Sequence, residues 1–155
     1  MPPHKLEGDL LAGKIKIGIV VSRFNDFITS RLVDAAIDTF QRHGGNPDHL
    51  TIAYVPGSFE IPTVALQMAK TKKYDALVCL GCVIRGATDH YDYVVQNATK
   101  GIGEIPLQTG IPTIFGIITA DNLEQAIERA GTKQGNHGAK ALLAAIEMAN
   151  LLKKL

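Results

Sequence analysis

Net charge is almost absent from this sequence: 16 lysines and arginines against 15 aspartates and glutamates leave +1. So small a balance gives no broad electrostatic footprint for a nucleic acid or an acidic membrane. Long apolar runs are missing too. The longest, Ala76 to Ile84, falls far short of the ~20 residues needed to span a bilayer. Met1 to Gly13 lack the apolar core of a signal peptide. There are only two cysteines, which without a secretory context points to a reduced, cytoplasmic setting. Fifteen glycines and seven prolines are too few for a collagenous or low-complexity chain. What is there is 46% hydrophobic over 155 residues, enough for one domain (1–155) that buries roughly 70% of its unfolded surface without staples.

Four runs read as strands: Ile15–Ser22, Leu50–Val55, Ala76–Ile84 and Pro112–Thr119. Each is nearly continuous in apolar residues, the pattern of a parallel sheet covered on both faces. Helical stretches alternate with them. The first covers about Phe27–His43, capped at Asn25 or Asp26, with a stop at Gly44-Gly45. The second opens at Glu60 with Pro62 in its first turn and runs to about Lys72. The third starts near Asp89 or His90 and passes Lys100, loosened around Gly101-Ile102-Gly103. A fourth is capped by Asp121 with Glu124 three residues on, and the last covers Ala139–Lys154. This alternation predicts a three-layer α/β/α sandwich around a four-stranded parallel sheet. The first thirteen residues form an arm.

In such sheets ligands sit beyond the carboxyl ends of the strands. That selects Ser22–Asn25, Pro56–Glu60, Arg85–His90 and Thr119–Asp121. Cofactor signatures fail there. Bulky Arg23 and Phe24 occupy the turn where a dinucleotide fold needs G-x-G-x-x-G, no P-loop is present, and Ile84-Arg85 stand where a phosphoacceptor aspartate belongs. No cofactor is therefore expected. Phe24 either stacks a flat heterocycle or folds back as a helix staple. Glu60 either faces a ligand or favours a helix dipole. Gly86, Ala87 and Thr88 either cradle an anion or form an ordinary cap. His90 alone of five histidines stands on a strand-end loop, where an imidazole can move protons at neutral pH. His4, His43 and His49 read as solvated. Cys79-Leu80-Gly81-Cys82 lies inside a strand, so a spacing of three puts the thiols on opposite faces and argues for packing, not redox or zinc chemistry. The segment Arg129–Gly138 sets arginine, lysine and three glycines before a helix. That suits a phosphate, or else a tight turn with incidental charges.

Five stretches carry a resemblance: Ser22-Arg23-Phe24-Asn25, Val55 to Pro62 (VPGSFEIP), Gly81 to Tyr93 (GCVIRGATDHYDY), Phe115 to Thr119 (FGIIT) and Gln125 to Lys133 (QAIERAGTK). Together they resemble the lumazine synthases, in family order from about Leu6 to Leu152. The resemblance implies a flavodoxin-like fold and condensation of 5-amino-6-ribitylaminouracil with 3,4-dihydroxy-2-butanone 4-phosphate. The products are 6,7-dimethyl-8-ribityllumazine, phosphate and water, and no cofactor is implied. It further implies that Phe24 stacks the pyrimidine, that Ser58, Phe59 and Glu60 hold the ribityl chain, and that Cys82, Val83 and Ile84 line the ring edge. Ala87 and Thr88 would cradle the phosphate and His90 would transfer protons. Phe115 and Arg129 would come from a neighbouring subunit, with Arg129 gripping the phosphate. His137 stands where many relatives carry lysine. The family assembles as homopentamers, in many bacteria twelve to a 60-subunit shell that can enclose riboflavin synthase, and the arm would add a strand to a neighbour's sheet. Other readings of the same architecture are a flavodoxin-type binding module, a purely structural shell protein and an archaeal-type riboflavin synthase.

Overall fold

A computed structural model describes residues 2–155. Its centre is the strand β1 (Ile17–Ser22), buried at all six positions, beside β3 (Ala76–Ile84), buried at all but its last residue. With β2 (Leu50–Val55) and β4 (Thr113–Ala120) they form one parallel sheet in the order β2-β1-β3-β4. Because the central strands have no wet face, their sequence is apolar without alternation.

Helices cover both faces. On one side α1 (Asp26–Arg42) and α5 (His137–Leu152) bury Leu32, Phe40, Leu142 and Ile146 against Ile19, Val21 and Leu80. On the other, α2 (Ile61–Lys70) and α3 (His90–Thr109) bury Ile61, Ala65, Ile102 and Ile105 against Val20, Leu77 and Cys79. Each large aliphatic chain so buried stabilises the fold by roughly 1.5–3 kcal/mol. The three-layer α/β/α expectation holds, and the two cysteines lie on opposite faces, Cys79 toward α2 and α3, Cys82 toward α1 and α5.

Boundaries differ where local hydrogen bonds take over. Ile15 is buried but lies outside β1, since its N–H bonds Ala12 O in a turn and the next N–H, of Lys16, goes to Asp75 Oδ2 at 2.8 Å. β4 begins at Thr113 because Pro112 has no N–H to give. The helix α3 runs unbroken through Gly101 and Gly103, where loosening was expected. Gly101 is small because α2 approaches there: a Cβ on it would fall 2.6 Å from Pro62 Cβ. The short helix α4 (Leu123–Glu128) is capped by Asn122, which accepts from Gln125 N–H at 2.9 Å, and not by Asp121. Gln125 Oε1 accepts in turn from Asp121 N–H at 2.8 Å, a capping box moved by one residue. The segment read as a phosphate site or else a tight turn contains a small hairpin, β5 (Ala130–Thr132) with β6 (Gly135–Asn136). Asn136 then caps α5, accepting from Gly138 and Ala139 N–H, so that helix starts two residues early. The second half of the arm lies on its own chain: Asn150 Nδ2 donates toward Asp9 O at 2.9 Å and Leu11 O at 3.0 Å, and Lys154 Nζ to Glu7 O at 2.6 Å.

Candidate active site

The strand β1 is followed by β2 on one side, and the chain then crosses to β3 on the other, so strand order reverses between β1 and β3. A cavity of about 580 Å³ opens at the carboxyl ends of these strands. One side is Cys82, Val83 and Ile84, a second is the turn 56–60, and Phe24 with His90 and Val94 complete it. The loops are tied together by the ends of the strands. Arg23 N–H donates to Val55 O at 2.7 Å, and Phe24 N–H to Pro56 O at 3.0 Å. Asn25 occupies the left-handed region at φ 63°, which asparagine tolerates better than most residues. Its side chain does not cap α1, as expected of it, but reaches across to donate to Cys82 O at 2.8 Å. From α3, Asn97 Nδ2 donates to Phe59 O at 3.0 Å and holds the 56–60 turn against the cavity.

Phe24 is 70% exposed and Phe59 52% exposed. Phe24 is therefore not a staple folded onto α1: two aromatic faces are left open beside one cavity, a costly arrangement for a ring with no ligand to meet. Glu60 makes no capping bond to α2. Its carboxylate lies over Gly57, where a Cβ would stand 3.2 Å from Oε1. His90 opens α3 with its ring exposed, and Val94 lines the cavity one helical turn on. Thr88 Oγ1 accepts from His90 N–H at 3.3 Å, so it serves the helix start, and Ala87 beside it is exposed. Arg85 is engaged elsewhere. It pairs with Asp121 at 3.3 Å and Asp92 at 3.6 Å and covers the Tyr91 ring at 4.3 Å.

Of the residues singled out from sequence, Phe24, Ser58, Phe59, Glu60, Cys82, Val83, Ile84 and His90 come together here. Ala87, Thr88, Phe115, Arg129 and His137 do not line this cavity. Phe115 pairs with Cys79, three residues before Cys82, or ~10 Å back along the sheet at the usual strand rise. Arg129 is held by its own chain, Nη1 donating to Thr119 O at 2.9 Å. His137 N–H bonds Arg129 O at 2.9 Å, which brings the two backbones together at the base of the hairpin. Burial, then the charges of Lys140 and Arg129, hold the His137 pKa below the usual histidine value.

The family model described as 6,7-dimethyl-8-ribityllumazine synthase matches residues 14–153 of the 155. The chain belongs to that family. It is accordingly a transferase of riboflavin biosynthesis that acts on small molecules. Among the described residues no helix is long and apolar enough to cross a membrane, and no three His, Cys, Asp or Glu side chains gather to hold a metal ion. For a member of the lumazine synthase family the residues missed from sequence are informative: Asn97 and Val94. Val94 follows His90 at helical spacing and could have been placed with it, whereas Asn97 meets Phe59 only through the packing of α3. His43 and His49 also differ from expectation. Both are half-buried, and His43 Nδ1 bonds Thr39 O at 2.8 Å, while His4 is exposed as read.

Proposed function

We propose that the cavity binds 5-amino-6-ribitylaminouracil and joins it to 3,4-dihydroxy-2-butanone 4-phosphate, giving 6,7-dimethyl-8-ribityllumazine, phosphate and water. The observation that carries this reading is the meeting of Phe24, Glu60 and His90 at one opening, at the switch in strand order of a chain in this family. Phe24 stacks the pyrimidine, Cys82 to Ile84 meet its edge, and Ser58, Phe59 and Glu60 take the ribityl chain. Ala87 and Thr88 meet the phosphate of the second substrate. The pyrimidine's own amine attacks the ketone, so imine formation needs no protein nucleophile. Phosphate elimination and ring closure then require orientation and one proton shuttle, His90. Holding two reactants in register contributes ~7–11 kcal/mol to the barrier reduction.

Phe115 and Arg129, which do not line their own cavity, serve a neighbouring copy in this reading, with Arg129 on the phosphate and His137 beside it. This requires an assembly, a pentamer or a shell of twelve pentamers, and the exposed first residues of the arm, Pro2–Leu6, would pair with a neighbour's sheet edge. The test follows lumazine fluorescence and released phosphate together, with both substrates supplied. Stoichiometric appearance of the two, weakened in Arg129→Ala, is the expected result. A folded protein that yields neither product refutes the assignment.

A further inference from the structure

We infer that Ser22, at the carboxyl end of β1, is a positioning residue for this cavity and acts through Ser58. The inference rests on the reading of the cavity as the site for a ribityl-bearing pyrimidine. Ser22 is 0% exposed, and its Oγ makes no hydrogen bond to any protein group. Buried hydroxyls are rarely left so, because they lose water without replacing it. Alternation along β1 sends the Ser22 side chain to the face where Val20 packs, opposite Val21. Ser58 reaches the same place from the other direction, from the turn that lines the cavity.

The two hydroxyls converge over Gly81 of β3. A Cβ on Gly81 would stand 2.5 Å from Ser58 Oγ, 3.2 Å from Ser22 Oγ and 3.3 Å from Ile61 Cδ1. The next residue, Cys82, lines the cavity. Gly81 therefore keeps open a small space shared by a sealed hydroxyl and the hydroxyl of a residue that lines the cavity. A hydroxyl has one donor and two acceptor positions. Ser58 can donate to a ribityl hydroxyl while accepting from Ser22, and links of such a chain polarise one another. In the free protein Ser22 is unsatisfied. A polyol chain that orders the Ser58 hydroxyl gives Ser22 its partner, which couples a buried strand residue to affinity for that substrate alone.

Steady-state kinetics and thermal unfolding of Ser22→Ala, Ser58→Ala and the double variant test this. Absence of turnover by the wild-type protein would remove the cavity reading itself. Given turnover, Ser22→Ala is expected to raise KM for the pyrimidine about tenfold, with kcat and KM for the butanone phosphate within twofold. Its Tm stays at or above that of the wild type, since an unpartnered hydroxyl is removed. Ser58→Ala gives a similar rise, and the double variant goes no further than the larger single one. Gly81→Ala, which drives the Ser58 hydroxyl aside, raises the same KM by an independent route. The inference is overturned by an unchanged pyrimidine KM in Ser22→Ala or Gly81→Ala, by a fall in Tm without a KM effect, or by single-variant rises that multiply in the double variant.

Discussion

At the scale of single residues the proposed mechanism gives proton transfer to one side chain, His90, which lines the cavity. His90 is exposed, so its removal leaves packing untouched: His90→Ala should keep the wild-type Tm and slow turnover by roughly 10²–10⁴-fold without abolishing it, as kcat measurements would show. Loss of folding or complete inactivity would contradict this division between orientation and proton transfer. His137 behaves differently. Its pKa is lowered in the fold by burial first, then by Lys140 and Arg129, so the unfolded chain takes up the proton more readily. Stability linked to this group is thus present above the ordinary value of about 6.5 and is lost as pH falls below it. Tm followed from pH 7 to pH 5 should fall less steeply in His137→Gln than in the wild type. The same depression leaves Arg129 as the principal cation of the pair at pH 7. The cysteines are the third case. Burial pushes the Cys79 thiol up to about 12 and Cys82 to about 11, so neither carries appreciable thiolate at neutral pH. A chromogenic thiol reagent should find no reactive sulfhydryl in the native protein and two after denaturation.

Elements are placed by what they approach as much as by their own periodicity. The helices α1 and α5 touch at Gly138, where a Cβ would collide with the backbone of Leu32. Gly138→Ala should therefore cost ~1–3 kcal/mol, the range for overpacking a close contact, and lower the denaturant midpoint while leaving the cavity residues in place. An unchanged midpoint would mean that the two helices separate freely. Gly101 teaches the same lesson. A glycine in a helix reads locally as weakness, yet here α3 continues because the missing Cβ lets Pro62 of α2 sit against it. Propensity sees one chain segment, and the reason for the residue lies on another.

Seen as a whole, the molecule has one group of expected site residues gathered and a second group set apart. Phe24, Glu60 and His90 share the cavity, while Phe115 and Arg129 do not line it. If neighbouring copies complete each other's sites, a mixed assembly refolded from His90→Ala and Arg129→Ala chains contains some sites with both residues intact. Its activity should exceed the mean of the two parents. Activity equal to that mean would place both residues in the service of one chain. Light scattering on the same sample should give a mass that is a multiple of five chains.

Much of this was legible in the residues alone. Unbroken apolar runs dictate strands with two covered faces, and from there the layered sheet, the strand-end loops and the cavity side of Phe24, Glu60 and His90 follow, because burial and chain direction are local consequences of side-chain type. The cysteine spacing likewise settles opposite faces, since a strand alternates at every residue. Tertiary structure alone decided the rest. Asn25 abandons its helix to hold Cys82 O, Asp121 leaves its cap to Asn122 and pairs with Arg85, and Ser22 is sealed beside Ser58 over Gly81. Asn25 and Asp121 each had a helix start to cap nearby in sequence, whereas Ser22 meets no protein partner at all. What each polar group met depended on distances across the sheet and between layers, and those exist only once the apolar faces have closed.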